Sequence, residues 1–373
     1  MTAYTAYTWA RKVLLAVILL VYAYLIAEVC TRWLRPQPLL PRYTTAAPFG
    51  VRQHVPNARY QHVTGDGVTN YRINGQGLRA DRDFSLTPEP GTCRIGMFGA
   101  SFFMGYEVDL PDTMATQLEV ILRETGYRVE VINFSLAGFG TGEMLRTYEG
   151  LGRKFGLKVA IFEWAIDDLN DNVRANLFDY RDGKVVATDR SYLPAVKLQD
   201  FLSKFALYRL LVEKSHFYSF LRERASRYGK FLVAEYRQFA QRLNSTISGD
   251  GQGLAHSSEA PAIDPVKLSA GIVRHAAKTV EADGVKFLLV EIPEHIERTK
   301  FASTLDVFGA DDLKGIETLP MLAALNAASG PEIRLFLEKG HFHYSPKGNR
   351  VAADAAAHRL MQSEALATCK VAP

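Results

Sequence analysis

The stretch Arg94-Ile-Gly-Met-Phe-Gly-Ala-Ser101 decides the fold, because an apolar run passes directly into a turn of small residues that ends in a serine. Its apolar part predicts a buried strand from Arg94 to Phe98. Ligands of open α/β sheets bind at the carboxyl ends of the strands, so Ser101 is a candidate nucleophile. A serine at this point can also be the N-cap of a helix. Its hydroxyl attacks only when a base removes the proton, and the rest of the chain must supply that base.

Apolar runs and amphipathic stretches alternate through the rest of the chain, which predicts βαβ units around a parallel sheet. Strands are predicted at Arg94–Phe98, Val129–Asn133, Val159–Trp164, Lys286–Ile292 and Ile333–Leu337. Helices are predicted at Met114–Glu124, Gly142–Phe155, Val266–Asp283 and Arg350–Met361. Because βαβ crossovers are right-handed, the carboxyl ends of all five strands are expected along one edge.

The composition excludes several classes of function. A formal charge of +4 on 373 residues, with dispersed lysines and arginines, does not predict a nucleic-acid partner. The three cysteines, Cys30, Cys93 and Cys369, are too few and too scattered for a disulfide framework, a metal site or a redox motif. The chain reads as one large α/β domain with a smaller appendage.

The N-terminal region predicts a membrane anchor. Residues Val13–Ala27 carry no charge and, with their flanks from Ala10 to Val29, approach the ~20 residues that a spanning helix needs. Arg11 and Lys12 precede the run, which favours a cytoplasmic N-terminus and a domain outside the cytoplasm. A cleaved signal peptide and a buried core helix are the alternatives. The first lacks a clear small-x-small cleavage site, and the second is disfavoured by the terminal position and the prolines that follow.

The predicted organisation has three parts. Residues 1–35 are the anchor with its flanks, residues 36–92 are a lead-in that packs on the main domain, and residues 93–365 form that domain with a helical insertion at about 180–265. Within the insertion, a helical region at 198–243 precedes a Ser/Gly-rich linker at 244–260. Its apolar stripe predicts either a docking face against the core or a helix on the membrane surface; the stripe consists of Leu198, Phe201, Leu202, Phe205 and Tyr208.

Four segments at predicted strand ends carry the residue types that acyl transfer requires. In chain order they are Phe98–Val108 with Ser101, the glycine-rich Ile132–Gly142, the polar Phe162–Asn172, and Glu338–Asn349 with two histidines. Glycine after a strand lets a backbone N–H approach a substrate oxygen closely. One such segment is a weak signal, whereas four in order predict a catalytic site.

These segments resemble the four sequence blocks of the SGNH/GDSL hydrolase superfamily, in particular of its membrane-anchored bacterial branch. The resemblance covers about residues 71–361 apart from the insertion, and it includes the lead-in stretch Tyr71–Leu78. It implies a three-layer, flavodoxin-like α/β fold with a central five-stranded parallel sheet, preceded by one N-terminal transmembrane helix. It implies neither a cofactor nor a metal.

Carried over residue by residue, the resemblance implies that Ser101 is the nucleophile and that its N–H and that of Gly138 line the oxyanion hole. The family's third donor is an asparagine side chain, and Asp167 occupies that position here. An ionised carboxylate cannot donate a hydrogen bond and repels a developing oxyanion. Asp167 is therefore protonated, or a shifted register brings in Asn170 or Asn172, or the activity is weak.

The nucleophile block departs from the family too, because Ala100 stands where the family has aspartate. His343 has the family's spacing to a cap-like Ser345 and to a helix glycine, so it is the first choice as base and His341 the second. The family's acid precedes its histidine by two or three residues, and neither position is acidic here. Glu338 has acid-x-x-His spacing to His341 and is predicted to orient whichever histidine it reaches.

The resulting hypothesis is a serine hydrolase of the esterase, lipase or deacetylase kind, which acts on an ester through an acyl-enzyme. Its predicted location is the bacterial inner membrane, in a single pass with the catalytic domain on the periplasmic side. Two alternatives stay open: a carbohydrate O-acyltransferase of the same fold, with an O-acylated glycan as substrate, and a degenerate SGNH domain that binds a glycan or an assembly partner without turnover.

Overall fold

The computed structural model describes residues 3–37, 39, 42–181, 183–222, 224–225, 264–339 and 341–371. The chain forms two compact units. One comprises residues 1–42 and 202–262, and the other comprises residues 43–201 and 263–373. The predicted linker at 244–260 lies outside the described residues.

A five-stranded, all-parallel sheet lies at the centre of the larger unit. Its strands, in spatial order, are β6 (Val129–Asn133), β5 (Cys93–Phe98), β7 (Val159–Trp164), β10 (Lys286–Glu291) and β13 (Thr318–Leu319). The first four match the predicted strands to within one residue. Strands β5 and β7 are buried along their whole length, as their continuous apolar runs predict.

The predicted fifth strand is wrong. Residues Ile333–Leu337 do not join the sheet, and the fifth strand is the short β13, which pairs with β10. The apolar residues of 333–337 pair locally instead: the Leu337 N–H donates to the His343 carbonyl at 2.8 Å, and the Ser345 N–H donates to the Leu335 carbonyl at 2.9 Å. This stretch therefore supports the histidine segment.

Helices cover both faces of the sheet, which gives the three layers that were predicted. The described helices of the larger unit are α2 (Ser101–Met104), α3 (Met114–Glu124), α4 (Thr141–Gly150), α5 (Asp168–Ala175), α6 (Leu193–Leu202, whose last residue belongs to the smaller unit), α8 (Pro265–Ala282), α9 (Leu322–Ala328) and α10 (Pro346–Gln362). Helices α3 and α10 share one apolar layer with β5, and α4 and α8 share the other. Helix α10 begins at the expected cap, since the Ser345 hydroxyl accepts the Gly348 N–H at 3.1 Å.

Short antiparallel pairs surround the sheet: β1 (Thr44–Ala46) with β2 (Arg52–His54), β3 (Arg59–Val63) with β4 (Val68–Arg72), β8 (Phe178–Arg181) with β9 (Lys184–Ala187), and β11 (Glu294–Glu297) with β12 (Lys300–Ala302). From the lead-in, Val51, Tyr71 and Leu78 are buried in the same apolar layer as α4. The lead-in therefore packs on the main domain.

Cys93 and Cys369 form a disulfide, which the sequence did not predict. Cys93 begins β5, and Cys369 ends a 3₁₀ turn at Glu364–Cys369. The two are 276 residues apart in sequence, so their spacing carries no signal and only the fold brings them together. Cys30 is free and exposed.

The smaller unit contains α1 (Ala3–Leu34), α7 (Ala206–Lys214) and further helical residues 216–222. Residues Tyr7–Leu34 of α1 are long and apolar enough to cross a membrane, with a mean hydropathy of 2.6 over the most apolar window. The predicted helical region of the insertion is thus helical in its described part. Three residues of its stripe, Leu198, Phe201 and Phe205, are 52–58% exposed.

Candidate active site

Ser101 is the first residue of α2, three residues after β5 ends at Phe98. The helix cap is Ala100, so Ser101 is not the N-cap that the alternative interpretation required, and its side chain is half-buried. The turn is tight: a Cβ on Gly99 would lie 2.3 Å from Oε2 of Glu163. Only glycine fits there, and the close approach places a buried carboxylate directly beside the candidate nucleophile turn.

Glu163 and Asn133 hold this turn from the neighbouring strands. Oε2 of Glu163 accepts the N–H groups of Ala100 at 3.0 Å and of Phe103 at 2.9 Å. The Asn133 amide donates to the Phe103 carbonyl at 2.6 Å. Burial raises the pKa of Glu163 to about 7, although the two N–H groups oppose the shift. Position 100 therefore lacks the family's aspartate, but a buried glutamate from β7 lies next to it and accepts its backbone N–H.

The lead-in holds the other end of α2. Buried Arg79 donates to the Met104 carbonyl at 2.8 Å and also to the carbonyls of Gly105 and Val108. Its guanidinium lies 4.1 Å from the centroid of the Tyr71 ring. The Tyr71 hydroxyl in turn accepts the Glu107 N–H at 3.1 Å. The stretch Tyr71–Leu78 and its neighbour Arg79 are therefore structural supports of the candidate nucleophile block.

Glu107 joins the nucleophile block to the histidine segment. Its Oε2 lies 3.0 Å from Nδ1 of His343, and its Oε1 lies 3.1 Å from Nδ1 of His341. The His341 backbone N–H also donates to Oε2 at 3.2 Å. The carboxylate side chain is 1% exposed, that of His343 is 9% exposed and that of His341 is 50% exposed. A buried acid therefore orients both candidate bases, and Nε2 of each imidazole stays available.

The electrostatics of this group favour an ionised carboxylate. Burial alone would raise the pKa of Glu107, but the hydrogen bonds from His341 and His343 outweigh it and hold that pKa well below its usual range. The same bond raises the pKa of His341. Among the described residues, these three are the one set of acidic, histidine or cysteine side chains close enough to hold a metal. The Glu107 carboxylate already lies within hydrogen-bond distance of Nδ1 of each histidine.

The structure places Glu338 elsewhere. Its carboxylate, 34% exposed, forms an ion pair with Nε of Arg298 at 3.3 Å. The carboxylate that contacts both histidines is Glu107, which sequence reasoning missed. A signal was present: with no acid at the family's position before the histidine, Glu107 is the only acid in the Phe98–Val108 block.

Aromatic side chains surround the histidines. The ring of Phe102, next to Ser101, lies 5.0 Å from that of His343, and the Tyr106 ring lies at the same distance on another side. The Tyr106 hydroxyl is 3.2 Å from Nε2 of His62, a third histidine that the sequence analysis did not single out. Burial lowers the pKa of His62 to about 4. The His343 ring thus lies near two aromatic side chains that follow Ser101 in the nucleophile block.

Gly138 follows β6 in the left-handed conformation, with φ of 72°, as expected for a turn glycine. The Leu136 N–H donates to the Gly99 carbonyl at 3.0 Å and ties this loop to the nucleophile turn. Two guanidiniums fix the next peptide, because the Gly138 carbonyl accepts from Arg52 at 3.0 Å and from Arg174 at 2.8 Å. Gly138, the second predicted oxyanion donor, therefore belongs to a loop that is fixed by hydrogen bonds to the nucleophile turn and to two arginines.

Asp167 lies at the start of α5 and is exposed. Asn172 does not replace it, because the Asn172 amide group is buried and committed to other partners: Oδ1 accepts the Gly142 N–H at 2.9 Å, and Nδ2 donates to Ser269 at 3.0 Å. Asn170 is exposed, and among the described residues its side-chain amide forms no comparable hydrogen bonds. Of the two shifted-register candidates, only Asn170 remains.

The chain has distant neighbours among solved structures. The chain is similar to the crystal structure of a lipase/acylhydrolase from Enterococcus faecalis, with 12% identity and a TM-score of 0.37 over 72% of this chain and 95% of that one. It is also similar to a member of the lipolytic protein G-D-S-L family from Veillonella parvula, with 11% identity and a TM-score of 0.35 over 73% and 100% of the two chains. A GDSL-like lipase from Bacteroides thetaiotaomicron matches at 9% identity and a TM-score of 0.34, over 74% and 89%.

No family model and no curated protein matches the sequence. Likenesses this distant carry no information about reaction or substrate, so the function proposed below rests on the contacts of this chain itself.

Proposed function

We propose that this chain is a serine ester hydrolase of the SGNH type, with Ser101 as nucleophile, His343 as general base and Glu107 as the acid that orients the base. The observation that carries the proposal is the buried Glu107–His343 hydrogen bond of 3.0 Å, formed by an acid six residues after the serine. A nucleophile, a base and an orienting acid are the three parts of a serine hydrolase triad. His341, which is half exposed, is the second candidate for the base.

The first half-reaction forms an acyl-enzyme. Nε2 of His343 removes the proton of the Ser101 hydroxyl as its oxygen attacks the ester carbonyl, and the tetrahedral oxyanion accepts the backbone N–H groups of Ser101 and Gly138. When the intermediate collapses, the ester C–O bond breaks and His343 gives its proton to the leaving alcohol.

The second half-reaction returns the enzyme to its starting state. Water loses a proton to His343 and attacks the acyl carbonyl, the bond to Ser101 breaks, and the proton goes back to the serine oxygen. Glu107 stays ionised throughout: it accepts the hydrogen bond from Nδ1 of His343, fixes the tautomer with Nε2 free, and stabilises the imidazolium. The low pKa of Glu107 suits this role.

We also propose that the catalytic unit lies outside the cytoplasm, tethered by α1 to the bacterial inner membrane. Two observations support this location. Residues Tyr7–Leu34 have the length and hydropathy of a spanning helix. The Cys93–Cys369 disulfide suits an oxidising compartment such as the periplasm.

A second candidate function is a non-catalytic SGNH domain that binds its ligand without turnover. The observation that favours it is Asp167, an exposed carboxylate at the position of the family's oxyanion donor. Loss of one such donor typically costs about 10²- to 10³-fold in kcat, which leaves a slow enzyme rather than an inactive one. The hydrolase is therefore the first proposal.

The test uses the full chain in detergent with a serine-directed fluorophosphonate probe and a short p-nitrophenyl ester. We expect wild type to be labelled and to hydrolyse the ester, and Ser101→Ala to lose both. The matched control is Ser135→Ala, since Ser135 is a buried serine of the neighbouring loop that hydrogen-bonds the Met97 carbonyl. Wild type that labels no better than Ser101→Ala would leave the binding domain as the better interpretation. Activity that a chelator abolishes would point instead to a metal at Glu107, His341 and His343.

A further inference from the structure

We infer that residues 206–222 form a second membrane contact: α7 lies in the bilayer interface beside the outer end of α1, with its exposed leucines toward the lipid. This inference rests on the proposed anchoring of α1 in a membrane. It concerns the smaller unit alone and goes beyond the hydrolase function, which involves none of these residues.

Glu28 of α1 is the first observation. It is the first charged residue after the uncharged run Val13–Ala27, where an unpaired carboxylate is costly. Three donors from the insertion satisfy it: the Ser215 hydroxyl at 2.7 Å, the His216 N–H at 3.0 Å and the Phe217 N–H at 2.9 Å. The carboxylate thus caps the first turn of helical residues 216–222.

Contacts on either side of Glu28 fix the depth of the insertion along α1. The Tyr24 hydroxyl, one turn inside the uncharged run, lies 2.5 Å from Oγ of Ser215, and the Tyr24 and Phe217 rings meet edge to face at 5.4 Å. One turn further out, Arg32 donates to the Lys214 carbonyl at 2.9 Å. The end of α7 therefore reaches the level where the apolar run of α1 ends.

The exposed surface of α7 matches that position. Leu207 and Leu210 are 68% and 58% exposed, whereas Val212 on another face of the helix is 4% exposed. Arg209 lies about 160° from Leu207 and about 100° from Leu210 around the helix, and its side chain donates to the carbonyls of Ser203 and Lys204. One apolar side and one polar side are typical of a helix that lies in a membrane interface.

The lipid surface is the occupant that these observations favour over a protein partner. The leucines belong to an element that is hydrogen-bonded to α1, so a bilayer that surrounds α1 reaches them without any further molecule. An apolar surface left beside a spanning helix is covered by the membrane itself.

The test places a single environment-sensitive nitrobenzoxadiazole label on the full chain in liposomes of phosphatidylethanolamine and phosphatidylglycerol. Cys30→Ser removes the one free cysteine among the described residues, and Cys93 and Cys369 are bonded to each other. Leu210→Cys is compared with its neighbour Arg209→Cys. We expect the label at position 210 to shift to the blue and to be quenched by doxyl lipids, and the label at 209 to be quenched by aqueous iodide.

A third label separates this inference from the anchoring on which it rests. With Leu19→Cys, inside the apolar run, quenching by lipid reports α1 in the bilayer. If position 19 is quenched by lipid and position 210 only by iodide, the inference fails while the anchor stands. If position 19 is not quenched by lipid, the anchor itself fails. Glu28→Ala should reduce lipid quenching at 210 and leave it unchanged at 19; equal quenching at 210 in both backgrounds would show that Glu28 does not place α7.

Discussion

Glu107 has a strained backbone conformation, and both oxygens of its carboxylate form hydrogen bonds. Its φ of 70° lies in the left-handed region, which costs a non-glycine residue about 1–3 kcal/mol unless its surroundings hold it there. Both carboxylate oxygens contact histidines, and the backbone N–H is bound by Tyr71. Strain of this kind, held by hydrogen bonds on several sides, is typical of functional positions.

The role of Glu107 can be tested against that of Glu338. We expect Glu107→Gln to lower kcat/KM for the ester by about 10²- to 10⁴-fold, because the amide no longer fixes the His343 tautomer or stabilises the imidazolium. Glu338→Gln, which breaks only the partly exposed ion pair with Arg298, should stay near wild type. Steady-state kinetics on both variants measure this. A larger loss in Glu338→Gln would mean that Glu338, and not Glu107, is the acid that orients the base.

Asp167 gives a prediction in the opposite direction. We expect Asp167→Asn to raise kcat, by at most the about 10²- to 10³-fold that one oxyanion donor contributes, because an amide donates where the carboxylate repels. The companion variant Asn170→Ala tests the shifted register. If Asn170 supplies the third donor, Asn170→Ala lowers kcat and Asp167→Asn has little effect.

The sequence predicted some of these residues and not others for a physical reason. His343 could be singled out because its spacing to Ser345, which caps the next helix, matches the histidine block of the family that the chain resembles. Glu107 is 236 residues away from His343, and no local pattern reports a contact over that distance. Asn172 could be set aside only after the structure showed its amide bonded to Gly142 and Ser269.

At the scale of elements, the four long strands were predictable because each is a continuous apolar run. The fifth was not, because β13 has only two residues, Thr318 and Leu319, and neither length nor periodicity distinguishes it from a loop. The run Ile333–Leu337 has the composition of a strand but satisfies its backbone against the histidine segment. The composition of this run predicts that it is buried, but tertiary contacts decide whether its backbone pairs with the central sheet or with the histidine segment.

The buried Glu163 of β7 should make the stability of the fold depend on pH. Burial raises its pKa from 4.5 to about 7, so between these values the folded chain holds a proton that the unfolded chain has released. The stabilising contribution is therefore complete below pH 4.5 and is lost as the pH rises through about 7. It amounts to roughly 3 kcal/mol in the free energy of unfolding.

Glu163→Gln keeps an acceptor for the N–H groups of Ala100 and Phe103 but does not titrate. Denaturant unfolding followed by tryptophan emission at pH 5 and pH 8 measures the effect. We expect wild type to lose more stability than Glu163→Gln between the two pH values. Equal losses would mean that the Glu163 carboxyl does not titrate in this range.

For the whole molecule, the disulfide is the covalent link between the central sheet and the 3₁₀ turn Glu364–Cys369. It joins the first residue of β5 to the last turn of the chain, and both cysteines are buried. We expect the double variant Cys93→Ala/Cys369→Ala to unfold with a free energy lower by about 2–4 kcal/mol. Reducing agent should destabilise wild type by a similar amount and leave the double variant unchanged; a double variant as stable as wild type would contradict this.

The same bond has a consequence for proteolysis. Ser101 and both histidines lie between Cys93 and Cys369, so a single cut anywhere in that interval yields two fragments that remain covalently joined. The fragment that begins at residue 1 keeps the apolar helix, and the other stays attached to it through sulfur. A protease that nicks this interval once therefore cannot separate the candidate site from the apolar helix α1, and a reductant would be needed to release it.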